Sequence, residues 1–433
     1  QTGNNQYFKI ISKDKNDVLE DKEYQIQFFP STIEYFIHKK SFDTSDFVNN
    51  LSQFDNILFH LEYPSRIFKD AYDKIVSFQN SLPKTQKVVK IHASLSSLPK
   101  SSSGFGKYNR IDSIEMSNSI NDLGKPEVFK ACTSLTKIII STSLTSILPS
   151  SFKGCMNLVE ISIPSSVSKI EKNAFEGCSS LKQLELPSSL NELGEYAFSD
   201  CTSLTSISIP YSVTTINCSS FKGCTSLKQI TIPSSISSIK SYAFNKCKSL
   251  TQISIPYSVT SIDKYVFGEC ASLTQVIIPS SVRTINEYAF SGSGLTQITI
   301  PNSVMTLSAH AFEDCKSLTQ ISISISVTLI DSFVFYGCTS LSQVTIPNSV
   351  TKIDDYAFCK SGLKQITIPD SVLYIGRYAF SECSSLVDIE IPSSVREICS
   401  YAFKNCTSLT KLNIPSSVTE RGLFITEGCT SLK

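Results

Sequence analysis

Cysteine is the residue whose number and spacing most invite a chemical role in this chain. The 433 residues include fifteen cysteines, none before Cys132, and most recur at a fixed spacing as far as Cys429. Many cysteines in a short secreted chain indicate a disulfide framework, but these do not cluster, and an odd number leaves at least one unpaired. No C-x-x-C pair is present, so the local spacing of a zinc site is missing.

A cysteine that returns once per repeat is better explained as a small buried residue at one recurring corner, because free cysteine packs like a small apolar side chain. Bridges between adjacent turns are within reach but would pair the turns irregularly. Three cysteines lie off the fixed spacing, and we expect these to be exposed thiols: Cys218, Cys359 and Cys399.

The remaining chemistry-bearing residues do not indicate an enzyme. Histidine occurs only at His38, His60, His92 and His310, and there is no G-x-S-x-G, H-E-x-x-H or glycine-rich phosphate motif. The formal net charge is +1, which favours neither nucleic acid nor an anionic membrane. No run of about 18 apolar residues could span a bilayer. We therefore predict a non-enzymatic protein with no cofactor, no metal, no nucleic-acid partner and no membrane span.

A repeat of 22–23 residues must position all these side chains. Phenylalanine recurs with this period from Phe129 to Phe403, and cysteine follows most of these phenylalanines by three residues. Leucine marks the same period at Leu135, Leu158, Leu181, Leu204, Leu227, Leu250, Leu273, Leu295, Leu318, Leu341, Leu363, Leu386, Leu409 and Leu432. Internal repeats of this length are typical of solenoids.

Each repeat contains two extended pieces and one tight turn. In LTQISIP, Leu250, Ile253 and Ile255 alternate with outward residues as in a strand, and Pro256 ends it. SVTSI forms a second short piece, and YAFxxC is expected to form one helical or 3₁₀ turn. One repeat cannot bury its own apolar face, so stacked repeats are predicted to form a leucine-rich-repeat solenoid with parallel β-strands.

The predicted solenoid covers residues 86–433, about 14 turns, and residues 1–85 form a small non-repeat α+β domain that caps it. KEYQIQFF is predicted to be a strand, and KVVKIHASLSSLP resembles one more strand and corner. Residues 44–61 and 66–82 have helical apolar spacing, with Thr44 or Ser45 as a helix N-cap. In the final turn, Arg421 and Thr426 replace core residues.

Two outward rows are the candidate protein-binding sites. The first is a glutamine row on the first strand, whose amides could hydrogen-bond along the row or dock a protein: Gln183, Gln229, Gln252, Gln275, Gln297, Gln320, Gln343 and Gln365. The second is an aromatic row, explained equally by packing between turns and by protein recognition: Tyr196, Tyr242, Tyr265, Tyr288, Phe333, Tyr356, Tyr378 and Tyr401. His310 occupies a slot of this row and is expected to substitute for tyrosine.

A shortened corner interrupts the period twice. Ser293, Gly294 and Leu295 replace the usual C-x-S-L, and the same replacement recurs at Ser361–Leu363. Serine is small enough for the cysteine corner, and glycine supplies the freer φ that a shortened corner needs. Because the variant recurs, we predict an alternative corner rather than a functional site.

The repeat CKSLTQISIPYSVTSIDKYVFGEC resembles the 23-residue leucine-rich repeat of BspA-like proteins, also described as the Treponema pallidum type. The resemblance covers roughly residues 108–432. It implies an adhesin-like surface antigen that binds extracellular-matrix or host-surface proteins, and it brings no catalytic residues.

Localisation has two interpretations. The resemblance implies a cell-surface or secreted protein, and N-x-S/T sequons at Asn50, Asn217 and Asn405 indicate secretion weakly. No signal peptide is visible in the first residues, which favours the alternative of a cytoplasmic structural or scaffold protein that uses the repeats for protein–protein interaction.

Overall fold

A computed structural model describes residues 24–28, 32–37, 56–63, 68–81, 88–98, 104–108 and 110–433. It confirms the predicted fold class, because almost all regular structure is short parallel strands related by one repeat. The chain divides into two compact units, Gln1–Pro187 and Ser188–Lys433. The division predicted after residue 85 concerns the start of the repeats and stays a prediction.

Unit 1 contains one seven-stranded sheet in the order β1-β2-β3-β4-β5-β6-β8. β1 and β2 are antiparallel, and every later pair is parallel. The elements of this unit are β1 (Tyr24–Phe28), β2 (Thr32–Ile37), β3 (Asn56–Tyr63), α1 (Phe68–Ser81), β4 (Val88–Leu95), a 3₁₀ turn (Gly106–Tyr108), β5 (Ser113–Met116), β6 (Lys137–Ile139), β7 (Ser146–Ile147), β8 (Glu160–Ser162) and β9 (Lys169–Ile170).

The strands predicted at KEYQIQFF and KVVKIHASLSSLP are confirmed as β1 and β4, and the helix predicted at 66–82 is confirmed as α1. The helix predicted over 44–61 is wrong from Asn56 onward, where the chain forms β3 between β2 and β4. Residues 44–55, with Thr44 and Ser45, lie outside the described ranges. α1 buries Ala71, Tyr72 and Ile75, spaced as one helical face.

Unit 2 repeats a first strand of three residues and a second strand of two. The first strands are β11 (Ser206–Ser208), β13 (Gln229–Thr231), β15 (Gln252–Ser254), β17 (Gln275–Ile277), β19 (Gln297–Thr299), β21 (Gln320–Ser322), β23 (Gln343–Thr345), β25 (Gln365–Thr367), β27 (Asp388–Glu390) and β29 (Lys411–Asn413). The second strands are β10 (Glu192–Leu193), β12 (Thr215–Ile216), β14 (Ser238–Ile239), β16 (Ser261–Ile262), β18 (Thr284–Ile285), β20 (Thr306–Leu307), β22 (Leu329–Ile330), β24 (Lys352–Ile353), β26 (Tyr374–Ile375), β28 (Glu397–Ile398) and β30 (Glu420–Arg421).

The core of unit 2 is built from identical side chains stacked turn on turn. Phe244, Phe267 and Phe290 are fully buried, with successive ring centroids 5.9 and 5.4 Å apart. Leu250 and Leu273 are also fully buried. Rings at this spacing gain dispersion as well as burial, so the phenylalanine row holds neighbouring turns in register. The predicted phenylalanine and leucine core is confirmed.

The YAFxxC segment, expected to form one helical or 3₁₀ turn, is a tight turn and not a regular helix. It contains bonds of the 3₁₀ type, such as Asn245 N donating to Tyr242 O at 3.1 Å. However, Tyr242 has φ +62° and Lys246 has φ +63°, both in the left-handed region that a right-handed helix excludes. These two left-handed residues point the N–H groups of Tyr242, Phe244 and Lys246 at carbonyls of the next turn, at 2.9, 3.1 and 2.9 Å.

The cysteine row is a row of buried hydrogen-bond donors. Each thiol of the row in unit 2 from Cys224 onward donates to the phenylalanine carbonyl of the preceding turn, as in Cys247 Sγ to Phe221 O at 3.2 Å and Cys270 Sγ to Phe244 O at 3.1 Å. All fifteen cysteines are free thiols. The prediction of a buried corner is confirmed. The thiol gives the phenylalanine carbonyl a second donor, because the same oxygen already accepts a backbone N–H within its own turn, as in Cys247 N to Phe244 O at 3.1 Å.

The three cysteines off the row differ from one another. Cys218 and Cys399 are half-buried, but Cys359 is buried, so its predicted exposure is wrong. Cys359 follows Phe358 in the tight turn, and the same position also buries Asn245 and Ser381. The next turn covers this position, which a residue count along one turn does not reveal.

The shortened corners keep the row going with serine. Ser293 Oγ lies 3.3 Å from Cys315 Sγ, and Ser361 Oγ lies 3.2 Å from Cys383 Sγ. The reason for glycine differs from the one predicted, because neither Gly294 nor Gly362 has a positive φ. A Cβ on Gly294 would lie 2.1 Å from the backbone oxygen of Ala271. Close approach of two turns therefore requires glycine here.

Candidate protein-binding surface

The glutamine row lies on the outward face of the first strands of unit 2. Gln229, Gln252, Gln275, Gln297, Gln320, Gln343 and Gln365 are all exposed. Strand pairing places them opposite one another, as in Gln252 with Gln275 and Gln297 with Gln320. No hydrogen bond of these amide groups is present in residues 188–433. The amides are therefore directed at solvent, and the predicted bonding along the row is not formed.

A second polar row lies two residues further along the same strands, and our reading of the sequence missed it. It consists of the exposed residues Ser208, Thr231, Ser254, Ile277, Thr299, Ser322, Thr345, Thr367, Glu390 and Asn413. Side chains at i and i+2 share one face of a strand, so the alternation that defines the core also predicts this row. Ile277 is its one apolar member and is 80% exposed.

The charges of this face lie toward one end of the row. Asp388 pairs with Gln365 on one side and with Lys411 on the other, so the glutamine row continues into an acidic and then a basic residue. Glu390 adds a second carboxylate beside Asp388. A broad uncharged amide and hydroxyl surface bounded by charge can accept and donate hydrogen bonds along a polypeptide.

The aromatic row is a continuous stack from Tyr242 to Phe424. Centroid distances between neighbours are 4.8 Å for Tyr242 and Tyr265, 4.4 Å for Tyr265 and Tyr288, and 4.8 Å for Tyr378 and Tyr401. Tyr356 and Tyr378 also lie 4.8 Å apart. These tyrosines are half-buried, with each ring face covered by the next ring. The row therefore offers only ring edges and hydroxyls to a partner.

His310 stacks inside this row as predicted for a tyrosine substitute. Its ring lies 4.3 Å from Tyr288 and 4.6 Å from Phe333, and its Nδ1 lies 3.1 Å from Glu313 Oε2. Two turns before His310, burial raises the pKa of Tyr265 to about 12, with the neighbouring Tyr288 acting in the same direction. Both observations fit packed rings rather than a reactive centre.

The described residues contain neither a cluster of metal ligands nor a membrane-spanning helix. Within the described ranges, no three His, Cys, Asp or Glu side chains come together as metal ligands. Burial raises the pKa of Cys270 and Cys315 to about 12, which keeps these thiols protonated. Across the described helices, none has both the length and the apolar character needed to cross a membrane.

The repeats of this chain match the model of a known repeat family. The model of the BspA type leucine rich repeat region matches residues 98–217, 191–319 and 306–433. The chain belongs to the BspA-type leucine-rich repeat family. This confirms the family resemblance, and repeats of this kind form surfaces suited to protein–protein interaction. Among curated proteins, no relative matches the chain.

Solved structures of bacterial leucine-rich repeat proteins are similar to the BspA-type chain. A leucine-rich repeat protein from Bacteroides ovatus has 26% identity and a TM-score of 0.68, and the match covers 96% of this chain and 94% of that one. A leucine rich cell surface protein from Faecalibacterium prausnitzii has 24% identity and a TM-score of 0.42, covering 92% and 95%. The T. pallidum leucine-rich repeat protein has 28% identity and a TM-score of 0.31, covering 47% and 78%.

Proposed function

We propose that this chain is a non-enzymatic, adhesin-like surface protein that binds extracellular-matrix or host-surface proteins through the glutamine row. The observation that supports this proposal is the alignment of exposed glutamine amides that make no hydrogen bond within the described part of unit 2. An amide has two donors and an acceptor, so an aligned row presents many positions that a partner's backbone can satisfy.

The aromatic row supports this function less directly. Its rings stack face to face, so their main effect is to fix the spacing between turns. Rigid presentation reduces the entropy cost of binding. The partner contact itself is assigned to the glutamine row and the second polar row beside it.

The binding test uses a triple variant, Gln297→Arg/Gln320→Arg/Gln343→Arg, on immobilised collagen, laminin and fibronectin in surface plasmon resonance. We expect the unaltered chain to bind at least one of these proteins, and the variant to bind it about tenfold or more weakly, because buried unpaired charge at an interface is costly. The control is Thr260→Arg/Thr328→Arg/Thr351→Arg, which adds the same charge at exposed positions before the second strands. Equal loss in both variants would contradict the proposed face.

Cell-surface display is tested separately. Cells that produce the protein are labelled with a membrane-impermeant biotin reagent, either intact or after lysis. The protein is then recovered from both samples and its biotin label is compared. We expect labelling on intact cells. Labelling only after lysis would instead support the intracellular scaffold, an alternative that the fifteen free thiols favour because reducing compartments keep cysteines unpaired.

A further inference from the structure

The aromatic row of unit 2 is interrupted once within residues 188–433. Tyr196, Ser219 and Tyr242 occupy the same position in three successive turns, with φ of 56°, 56° and 62°. Tyr196 N donates to Cys218 O at 2.9 Å, and Ser219 N donates to Ser241 O at 3.1 Å. The backbone is therefore continuous through the interruption, and only the ring is missing.

A ring at position 219 would stand between Tyr196 and Tyr242 in the order of the row. Rings on adjacent turns from Tyr242 to Tyr401 lie 4.3–4.8 Å apart. Tyr196 and Tyr242 are two turns apart, so their faces are separated by the thickness that a tyrosine at position 219 would fill. The site is the natural equivalent of truncating a tyrosine inside a stack, and apolar cavities made by truncation bind small aromatic molecules.

Lys222 is placed to cover this gap from the side of Tyr242. Ser219 is only 2% exposed. Lys222, three residues further in the same turn, places its ammonium 5.7 Å from the centroid of Tyr242. The lysine side chain is flexible and keeps its ammonium group in water. It can therefore move aside without burying its charge. An entering ring would replace a weak cation–π contact with two stacked faces.

We propose that the gap at Ser219 is a binding site for one planar aromatic ring, held between Tyr196 and Tyr242 and presented by a Trp, Tyr or Phe side chain of a protein partner. The ring site is argued from the geometry of the row. That the bound ring belongs to a protein partner rests on the proposed function. Aromatic side chains are frequent anchors at protein interfaces, where they fill pockets of this size.

The first test is a titration with N-acetyltryptophanamide. This chain contains no tryptophan, so all indole fluorescence belongs to the probe. We expect a saturable fluorescence change with one site per chain. Ser219→Tyr should abolish the saturable change, because the new ring occupies the place of the probe between Tyr196 and Tyr242. Lys222→Ala should raise the affinity, because the cover is gone. Thermal denaturation of both variants checks that they fold.

A created gap provides the matched control. Tyr265→Ser opens a second interruption between Tyr242 and Tyr288, where Gly268 stands at the position of Lys222 and the nearby lysine is Lys264, with its Nζ 5.7 Å from the centroid of Tyr288. We expect two probe sites in this variant. A titration without saturation, equal affinity in Ser219→Tyr, or a single site in Tyr265→Ser would each overturn the ring site.

The second test separates this proposal from the protein-binding function. Ser219→Tyr is compared with the unaltered chain on the immobilised matrix proteins used above. Weaker binding supports a ring presented by the partner, and unchanged binding overturns that source. If no matrix protein binds the unaltered chain while the probe still binds at Ser219, the proposed function fails and the ring site stands.

Discussion

Phe267 lies in the middle of the phenylalanine stack, fully buried between Phe244 and Phe290. Replacing it with alanine removes a ring from a row that both neighbouring turns share. We expect Phe267→Ala to lower the free energy of unfolding by about 3–5 kcal/mol, the range for a buried aromatic truncation. Urea denaturation followed by circular dichroism measures this value. A loss below about 1 kcal/mol would show that this row is not the core.

The thiol of Cys270 tests whether the cysteine row is chosen for size or for its donor. Cys270→Ser keeps a side-chain donor toward Phe244 O, whereas Cys270→Ala removes that donor and leaves the carbonyl with its backbone bond from Cys247 N alone. One hydrogen bond contributes about 0.5–1.5 kcal/mol to stability. We therefore expect the alanine variant to unfold at lower urea concentration than the serine variant. The reverse order would mean that the thiol acts only by filling space.

The sequence was sufficient to predict the phenylalanine and leucine core of unit 2, because one period places these residues at the same position in each turn. It could not show that the thiol bonds to Phe244 O, since that acceptor belongs to the preceding turn. The left-handed φ of Tyr242 was also unpredictable, because tyrosine rarely adopts it. On the binding surface, the glutamine row could be predicted because inward and outward residues alternate along a strand. The gap at Ser219 could not, because it depends on the stacking of aromatic rings between turns.

At the scale of elements, the shortened corner depends on a glycine. A Cβ at position 294 would lie 2.1 Å from Ala271 O, which belongs to backbone and cannot move aside. We expect Gly294→Ala to cost about 1–3 kcal/mol, as overpacking does. Replacing Ser293-Gly294 with Cys-Ala-Ser restores the longer corner and should recover most of that loss. Denaturation of both variants measures the difference, and equal stability of Gly294→Ala and the unaltered chain would contradict the close approach.

The strand β3 shows why one element was misassigned. Its apolar residues include Phe59 and Leu61, both buried, and the sequence around them has helical spacing. A strand inside a parallel sheet is covered on both faces and loses the alternation that identifies an exposed strand. Its neighbour α1 was predictable because it keeps one solvent face, shown by the exposed pair Lys69 and Asp73.

At the scale of the whole molecule, the buried thiols make stability sensitive to alkaline pH. Burial raises the pKa of Cys270 and Cys315 to about 12 and raises that of Cys247 in the same direction, from an ordinary value of 9.0. The folded state therefore holds these protons more tightly than the unfolded state. Their contribution is complete below about pH 9 and is lost as pH rises toward about 12.

We expect the free energy of unfolding to fall between pH 7 and pH 10, by about 1–2 kcal/mol for each fully buried thiol. Urea denaturation at the two values measures the loss. The control is Cys247→Ser/Cys270→Ser/Cys315→Ser, which keeps small donors that do not titrate in this range. The triple variant should lose less stability on alkalinisation, and an equal loss would assign the effect to other groups.

The hydrogen bonds between turns of unit 2 run in two opposite directions. The N–H groups of the YAFxxC segment point toward the next turn, as in Tyr242 N to Lys264 O, whereas at the corners they point back, as in Ser237 N to Thr214 O and Lys240 N to Ile216 O. In an α-helix all peptide dipoles add, and the ends carry partial charges. Here the two sets oppose each other, so their dipoles offset one another along the stack. Whole turns can be duplicated or lost in the gene without an electrostatic penalty that grows with length.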